Sequence, residues 1–442
     1  MASLTPPCWI AVRFSQPGVP SIRLPVKALI KAESVNYQLW ESKLSSLAYQ
    51  QWQRGFQGVP INPKELNQRI VTISYLRDKL LAKLPDLTVN KKSTSQAKGW
   101  NSPKLVDSWL RSAFSVEVLK NLDVNEKSQF YSFDSEARDL LIYLVPDNKL
   151  LPIVRDFKKK DQLWGELKNT RKMQTNGILR YGYQMAGTAT GRFTSSKPAI
   201  HNFSAKSLDP AIFTLTEEQS LTKEEIEQRY DIRTLLLKGE GVYRLDFATQ
   251  ENRMVAYLTE NSKVASIFIQ DKDFHSLTAS ELGIDRKIAK VINLAPIYGM
   301  GTLALATKLK VSEEQAANWM ATFWDNNPEL KHFKKELMTC EAFTTPLYGR
   351  KMYLRGHMRV NWVIQGSCAE LLWEALKYLE SQFNKVQVLP HFHDELVLKC
   401  KVCKLHDNQL CQPIKDLKEE LEALNPFVWP GTNNKVFKLE VK

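Results

Sequence analysis

The sequence predicts a mixed α+β fold, an antiparallel sheet surrounded by helices, and three patterns carry that expectation. Short apolar runs, Val242 to Ala248, Val386 to Leu389 and Glu395 to Leu398, have the length of strands. The last two flank a turn at Pro390 to Asp394, so they pair as a hairpin with Asp394 at its tip. Elsewhere apolar residues recur at helical spacing, as in Leu66, Ile70, Ile73, Leu80 and Leu84, or Leu371, Leu372, Ala375, Leu376, Leu379 and Phe383. At 442 residues and 43% hydrophobic content the chain can bury a full core, divided among about two to three domains or subdomains.

Residues 1 to about 55 show no clear period and hold no aspartate. Arg13, Arg23, Lys27 and Lys31 precede the first acid, Glu33, as in an organelle transit segment, but prolines at 6, 7, 17, 20 and 25 oppose the amphipathic helix that such an address needs. A basic arm on a cytoplasmic protein of a prokaryotic or phage-infected cell is the better reading, and neither a secretion segment nor a membrane span is visible. Gly58 to Pro63 reads as a turn, followed by a long helix ending near Pro85. Asn90 to Gly99 is polar and basic, a loop in which Lys91 and Lys92 either lie along phosphates or face solvent. Further helices run to about residue 175. Gly187 to Pro198 is small, polar and glycine-bearing, so its backbone can approach a nucleic acid closely, with Arg192 free to reach a base edge or sugar. Ser312-Glu313-Glu314-Gln315 and Ser367-Cys368-Ala369-Glu370 fit capping boxes, which place helix starts after Val311 and Gly366. There is no internal repeat.

The formal charge of +13 points to a polyanionic partner. Residues 1 to 200 hold 30 Lys and Arg against 16 acids, a balance of +14 that leaves −1 for the remainder, so the basic surface belongs to the first half. Six cysteines in a chain this long do not make a disulfide scaffold, and a reducing compartment is expected. Cys400, Cys403, His406 and Cys411 are spaced C-x2-C-x2-H-x4-C. That reads as a zinc site or, given the short Cys–His spacing and an apolar strand ending at Cys400, as a strand edge, turn and helix.

Asp246, in one apolar run, and Asp394, at the hairpin tip, each suit a carboxylate that grips a catalytic metal. Between them Arg286, Lys290, Leu294 and Tyr298 advance in steps of four, a single drifting stripe on a helix whose core side is supplied by Ile288, Ile292 and Ile297. The first half of the stripe offers cations to a triphosphate, and the second offers an apolar side chain and a ring to a base. His275 can add a phosphate contact, although a lone histidine is more often structural. Acid, cationic helix, acid is an order suited to nucleotidyl transfer. In that chemistry two divalent ions roughly 3.5–4 Å apart help a 3′-hydroxyl attack and neutralise the phosphorus while pyrophosphate leaves. Magnesium favours the carboxylate, water and phosphate oxygens available there.

Asp246 to Arg253, Arg286 to Gly301 and His393 to Glu395 resemble the three polymerase motifs of family A DNA polymerases, the bacterial DNA polymerase I class. Thr188-Ala189-Thr190-Gly191-Arg192 and Gln365-Gly366-Ser367 resemble two further segments of that family, in the same order. The similarity is strong from about residue 180 to 400 and thinner back to about residue 56. It implies a right hand that extends a primer on a template with deoxynucleoside triphosphates. Its parts would be a basic extension at 1–55, a thumb leading into the palm at 56–180, palm at 181–252, fingers at 253–364 with the cationic helix at 285–299, and a second palm segment at 365–442.

The resemblance also implies roles. Asp246 and Asp394 hold two Mg2+ ions, for which Mn2+ can substitute, and Glu395 is a neighbouring acid. Lys290, as a catalytic cation, and Arg286 hold the triphosphate together with His275, Leu294 faces the base, and Glu251 with Tyr298 excludes a ribose 2′-hydroxyl. Arg192, Asn202, Gln365, His393, Lys91 and Lys92 contact primer–template DNA, and replication or repair proteins are further partners.

Departures from the family pattern are informative. The family commonly places a proofreading nuclease before the polymerase, whereas the residues before 56 include Glu33 and Glu41 but no aspartate, so no proofreading is expected from them. A mismatched labelled primer incubated with magnesium and no nucleotides should stay full length. Leu294 stands where the family usually has an aromatic ring, Pro296 interrupts the cationic helix by removing the bond to the Ile292 carbonyl, and Thr249, Gln250 and Asn252 alter the first motif's packing. Two other readings use the same residues, a single-subunit RNA polymerase and a catalytically degenerate primer–template binder. Glu251 beneath the sugar opposes the first, and intact Asp246, Lys290, Tyr298 and Asp394 oppose the second.

Overall fold

A computed structural model describes residues 9–11, 23–25, 45–88, 96–203, 235–236, 241–354, 356, 358–382, 384–392, 394–402 and 411–441. The chain divides into two compact units, one of Met1–Ile61, Met173–Gly299 and Trp319–Lys442, the other of Asn62–Lys172 and Met300–Asn318. Among the described residues, no helix is long and apolar enough to cross a membrane.

The first unit is built on a four-stranded antiparallel sheet. Strands β1 (Val242–Phe247), β2 (Val386–Val388), β3 (Glu395–Cys400) and β4 (Leu439–Val441) stand in the order β2-β3-β1-β4. Leu245, Phe247, Leu396, Val397, Leu398 and Leu439 are buried, which is what holds these short strands in the core. Pairing sets Glu395 and Glu440 on either side of Asp246, and Val397 opposite Arg244. The expected hairpin is present, since β2 pairs antiparallel with β3 and Phe392 bridges to Glu395 around the turn that carries Asp394. No pattern in the sequence had marked β4.

Helix α1 (Ser45–Gln57) forms where the sequence shows no clear period. Its buried side includes Gln51 beside Leu47, Ala48 and Tyr49, and Gln51 and Arg54 both bond Glu380, so polar partners replace part of the apolar stripe. α2 (Gln250–Leu258) leaves β1 through Thr249, whose φ of 46° is unusual for a β-branched residue. α3 (Phe274–Leu282) and α4 (Arg286–Leu294) pack on each other, capped by Asp273 and Asp285. α4 stops at Leu294 rather than running to 299. Ala295 still donates to the Val291 carbonyl, but Pro296 has no N–H, and a turn takes over before Tyr298 bonds back to Leu294.

α5 (Arg359–Ser381) packs on α2 and corrects one expected start. It begins at Arg359, not after Gly366, and runs without a break through 364–365, where the second palm segment was expected to begin. Ser367 lies mid-helix, its hydroxyl donating back to the Val363 carbonyl at 2.9 Å, and Glu370 is committed to Arg350, so neither member of that apparent capping box caps anything. The box at Ser312 does precede a helix, Glu313–Asn326, with Gln315 N donating to Ser312 Oγ at 3.1 Å.

The second unit is helical. Helices Pro63–Leu81, Pro103–Ala113, Ser135–Leu144 and Leu150–Met173 contribute to it, and its core includes Trp100, Leu110, Leu141, Val154 and Phe157. The first helix ends at Leu81, because Lys83 and Leu84 bond three residues back and tighten the chain before Pro85. The expected loop to Gly99 is shorter too. Gln96–Trp100 is a helix, anchored by Trp100, which is fully buried and donates Nε1–H to the Pro85 carbonyl at 3.1 Å.

Candidate functional site

β1 and β3 bring the two acids together. Asp246 pairs in register with Glu395, the residue after Asp394, and directly opposed residues in such a pair have Cα atoms about 4.5–5.5 Å apart. Burial and the Asp246 charge push the Asp394 pKa up to about 6. Glu395 is spoken for. Arg244, two residues before Asp246 on the same strand, donates to both of its carboxylate oxygens at 2.5 and 2.8 Å, and Glu395 is only 4% exposed. Among the described residues no group of three or more His, Cys, Asp and Glu could hold a metal, and Asp246 with Asp394 is the candidate pair of oxygen donors. Two carboxylates whose repulsion is already felt as a raised pKa fit a hard divalent cation that adds water and phosphate oxygens.

Beside the acids lies a second cluster. Tyr298 donates its hydroxyl to Glu251 Oε2, and Arg192 donates to Glu251 Oε1 at 2.8 Å. Gln365 also bonds the Tyr298 hydroxyl, while burial and Glu251 raise the tyrosine's pKa. Arg192 is therefore not free, as the sequence had suggested, because a half-buried carboxylate lies within its reach.

On α4, Arg286 and Lys290 are exposed, Leu294 is half-buried, and Ala289, Ile292 and Asn293 face the core. Arg286 is held by Asp273, with Nε to Oδ2 at 2.5 Å and Nη2 to Oδ1 at 3.2 Å. The same carboxylate caps α3 and accepts from Ser276, and the guanidinium depresses its pKa. His275 is buried and its pKa is pushed down to about 4, chiefly by desolvation, with Lys290 and Arg286 adding to the effect against Asp273. Asn293 Nδ2 stands 3.1 Å from His275 Nδ1. Donation from the amide leaves the proton of the neutral ring on Nε2.

Asn202 is exposed at the end of the turn Ile200–Asn202. His393, Lys91 and Lys92 lie outside the described residues, as do Cys403 and His406, while Cys400 and Cys411 are buried.

Sequence reasoning missed Arg244, Asp273, Arg350 and Glu370. Arg244 had a signal, since it shares a strand face with Asp246 at a spacing of two. Arg350 and Glu370 had none. Their ion pair, at 2.9 Å, has no exposed side-chain surface, and Arg350 also donates to the carbonyls of Thr190 and Gly366 at 3.0 and 3.1 Å. Gly191 is required beside it, because a Cβ there would stand 2.8 Å from the guanidinium and the backbone φ is +87°.

The chain is 25% identical over 337 residues to a DNA polymerase I of Caldicellulosiruptor bescii, covering 68% of this chain and 36% of that one. It is 26% identical over 364 residues to the DNA polymerase I of Helicobacter pylori, covering 75% and 36%. The chain thus spans little more than a third of these relatives' own length. Its fold is similar to that of a solved POL domain of Pol1 from M. smegmatis in complex with DNA primer–template and dNTP, with a TM-score of 0.69, 18% identity, and coverage of 92% of this chain and 70% of that one. A family model described as DNA polymerase family A matches residues 74–425, the greater part of the sequence. The chain belongs to DNA polymerase family A.

Proposed function

We propose that the chain is a template-directed DNA polymerase that extends a primer 3′-hydroxyl with deoxynucleoside triphosphates and releases pyrophosphate. The observation that carries this reading is the placement of Asp246 on β1 beside Asp394 in the turn that enters β3, where the Asp246 charge adds to burial in raising the cost of ionising Asp394. Asp246 and Asp394 would hold two Mg2+ ions, or Mn2+ in their place. When bound, such ions lower the barrier by stabilising charge on the attacking and leaving oxygens.

The other roles follow from side chains on this chain. Lys290 and Arg286 present positive charge to the triphosphate, and Arg286 exchanges Asp273 for phosphate oxygens when nucleotide binds. Neutral His275, oriented by Asn293, adds one hydrogen-bond donor. Leu294 faces the base. Glu251, held by Arg192 and Tyr298, lies beneath the sugar, where a 2′-hydroxyl would meet a carboxylate already committed to two donors. Arg192, Asn202 and Gln365 touch primer–template DNA, joined by His393, Lys91 and Lys92 from outside the described residues. The sheet of β1 to β4 forms the palm, 253–364 the fingers and 56–180 the thumb, and the bacterial relatives support a cytoplasmic setting in replication or repair.

Primer extension tests the reading. Wild-type protein should elongate a labelled primer with deoxynucleotides far better than with ribonucleotides, and Asp246→Ala or Asp394→Ala should abolish elongation. Unimpaired extension by either variant would defeat the assignment.

A further inference from the structure

The turn that carries Asp394 rests on a buried polar cluster to which the catalytic reading gives no task. Tyr183 lies in the strand Gly182–Gln184, His201 in the turn Ile200–Asn202, and His391 three residues before Asp394. All three side chains are buried, His391 completely. The Tyr183 hydroxyl stands 3.0 Å from His201 Nε2, 2.9 Å from His391 Nδ1 and 3.1 Å from the His391 carbonyl oxygen.

A phenol has one proton and two acceptor lone pairs, and a carbonyl can only accept. One arrangement therefore satisfies all three contacts: the hydroxyl donates to the His391 carbonyl and accepts from His201 Nε2–H and His391 Nδ1–H. Phe193 stands edge-on to His391 with centroids 4.5 Å apart, and His201 N donates to Ser195 Oγ at 3.0 Å. A single oxygen thus ties the strand Gly182–Gln184, the Asn202 turn and the backbone entering the Asp394 turn to one another, with Phe193 and Ser195 packed and bonded against the two imidazoles. Directional bonds fix such a register, where apolar contacts alone would tolerate sliding.

We propose that Tyr183 is a positioning residue for the Asp394 carboxylate, its hydroxyl fixing the Asp394 turn against the 193–202 segment through the imidazoles of His201 and His391. The proposal rests on the polymerase reading above. Tyr183 is buried, so its role is positioning rather than contact with substrate. Removing its hydroxyl leaves the ring and the pairing of β2 with β3 in place but takes away the lateral anchor of the turn. Misplacing a reacting group by about 1 Å can cost on the order of 10²-fold in rate.

Tyr183→Phe tests this in single-turnover nucleotide incorporation, with Mn2+ binding to the nucleotide-free protein followed by titration calorimetry. The incorporation rate constant should fall roughly 10- to 100-fold and Mn2+ should bind more weakly, as when partners of metal ligands are removed elsewhere. Reaction amplitude and nucleotide half-saturation should stay within about twofold, since no substrate contact is lost. A loss confined to amplitude and Tm, with the rate constant and Mn2+ affinity unchanged, would show the hydroxyl to be merely structural and overturn the proposal. If Tyr183→Phe does not fold, His391→Asn and His391→Leu give the same reading. Asparagine keeps an N–H near the place of Nδ1 and should hold the rate well above that of leucine, and equal rates would overturn the proposal. Asp246→Ala in the same assay separates the two levels. No incorporation by the wild-type protein defeats the polymerase reading itself, incorporation that survives Asp246→Ala defeats the assignment of Asp246, and loss in Asp246→Ala beside wild-type behaviour of Tyr183→Phe defeats only the positioning role.

Discussion

Asp394 shows how a residue proposed to hold a metal can be costly to the fold. Its pKa of about 6 lies above the ordinary value of 3.8, so the folded chain takes up the proton before the unfolded chain does. Stability of the metal-free protein therefore falls as pH rises from about 4 to about 6, and the full cost is present above that window. Asp394→Asn removes the buried charge. It is expected to raise unfolding stability at pH 7.5 by up to about 3 kcal/mol in the presence of a chelator, with the gap closing as pH falls below about 6, while primer extension is lost. Urea unfolding at several pH values checks this, and a destabilised variant at pH 7.5 would contradict it. His275 shifts the other way, to about 4, so it is neutral at physiological pH and does not gate nucleotide binding there by losing a proton.

At the scale of single elements, α4 and α2 each carry departures with measurable consequences. α4 ends at Leu294, and that half-buried aliphatic side chain offers a base less stacking than a ring would. Base–aromatic stacking is worth about 1–3 kcal/mol, so Leu294→Phe is expected to lower the nucleotide KM several-fold at similar kcat. Equal KM values in steady-state kinetics would show that leucine packs well enough. In α2, Asn252 is 5% exposed and neither amide atom has a partner among the described residues, and Gln250 Nε2 is in the same position. Asn252 lines a cavity of about 20 Å³ with Asn261, Asn293 and Phe323, room for about one water. A near-isosteric leucine needs no partner. Asn252→Leu is expected to stabilise the protein by about 1–2 kcal/mol, seen as a higher Tm, and a lower Tm would mean that the amide is well satisfied by water.

Across the molecule, the Arg350–Glu370 pair joins distant stretches of chain. Glu370 accepts from Arg350, from the Thr345 hydroxyl at 2.6 Å and from Tyr348 N at 3.0 Å, while Arg350 reaches back to the Thr190 carbonyl. The loop that leads to Arg192 and the helix that bears Gln365 are thereby held by one guanidinium. Glu370→Gln leaves that cation buried without its counter-charge, and a loss of about 3–5 kcal/mol is expected in urea unfolding. Replacing both partners with apolar residues should cost less than removing either one, because it is the orphaned charge that destabilises. A Glu370→Gln protein as stable as wild type would show that the pair is not a fixed point of the fold.

Read alone, the chain already displays its short-range features: the strand-length runs, the stripe that begins on α4, the start of the Glu313–Asn326 helix and the settings of Asp246 and Asp394. Each depends on neighbours within one or two turns, so periodicity and capping reveal it. Folding adds what long-range pairing alone can settle. The register of β1 against β3 makes Asp246 and Asp394 neighbours, and α5 runs through Ser367 because packing outweighs a local cap signal. Tertiary contacts also take up charges that seemed available, with Arg244 engaging Glu395, Arg192 engaging Glu251 and Asp273 engaging Arg286. A side chain's residue type tells what it can bond, but the partner that meets it first in a partly buried space is chosen by residues tens to hundreds of positions away, and no local pattern encodes that choice.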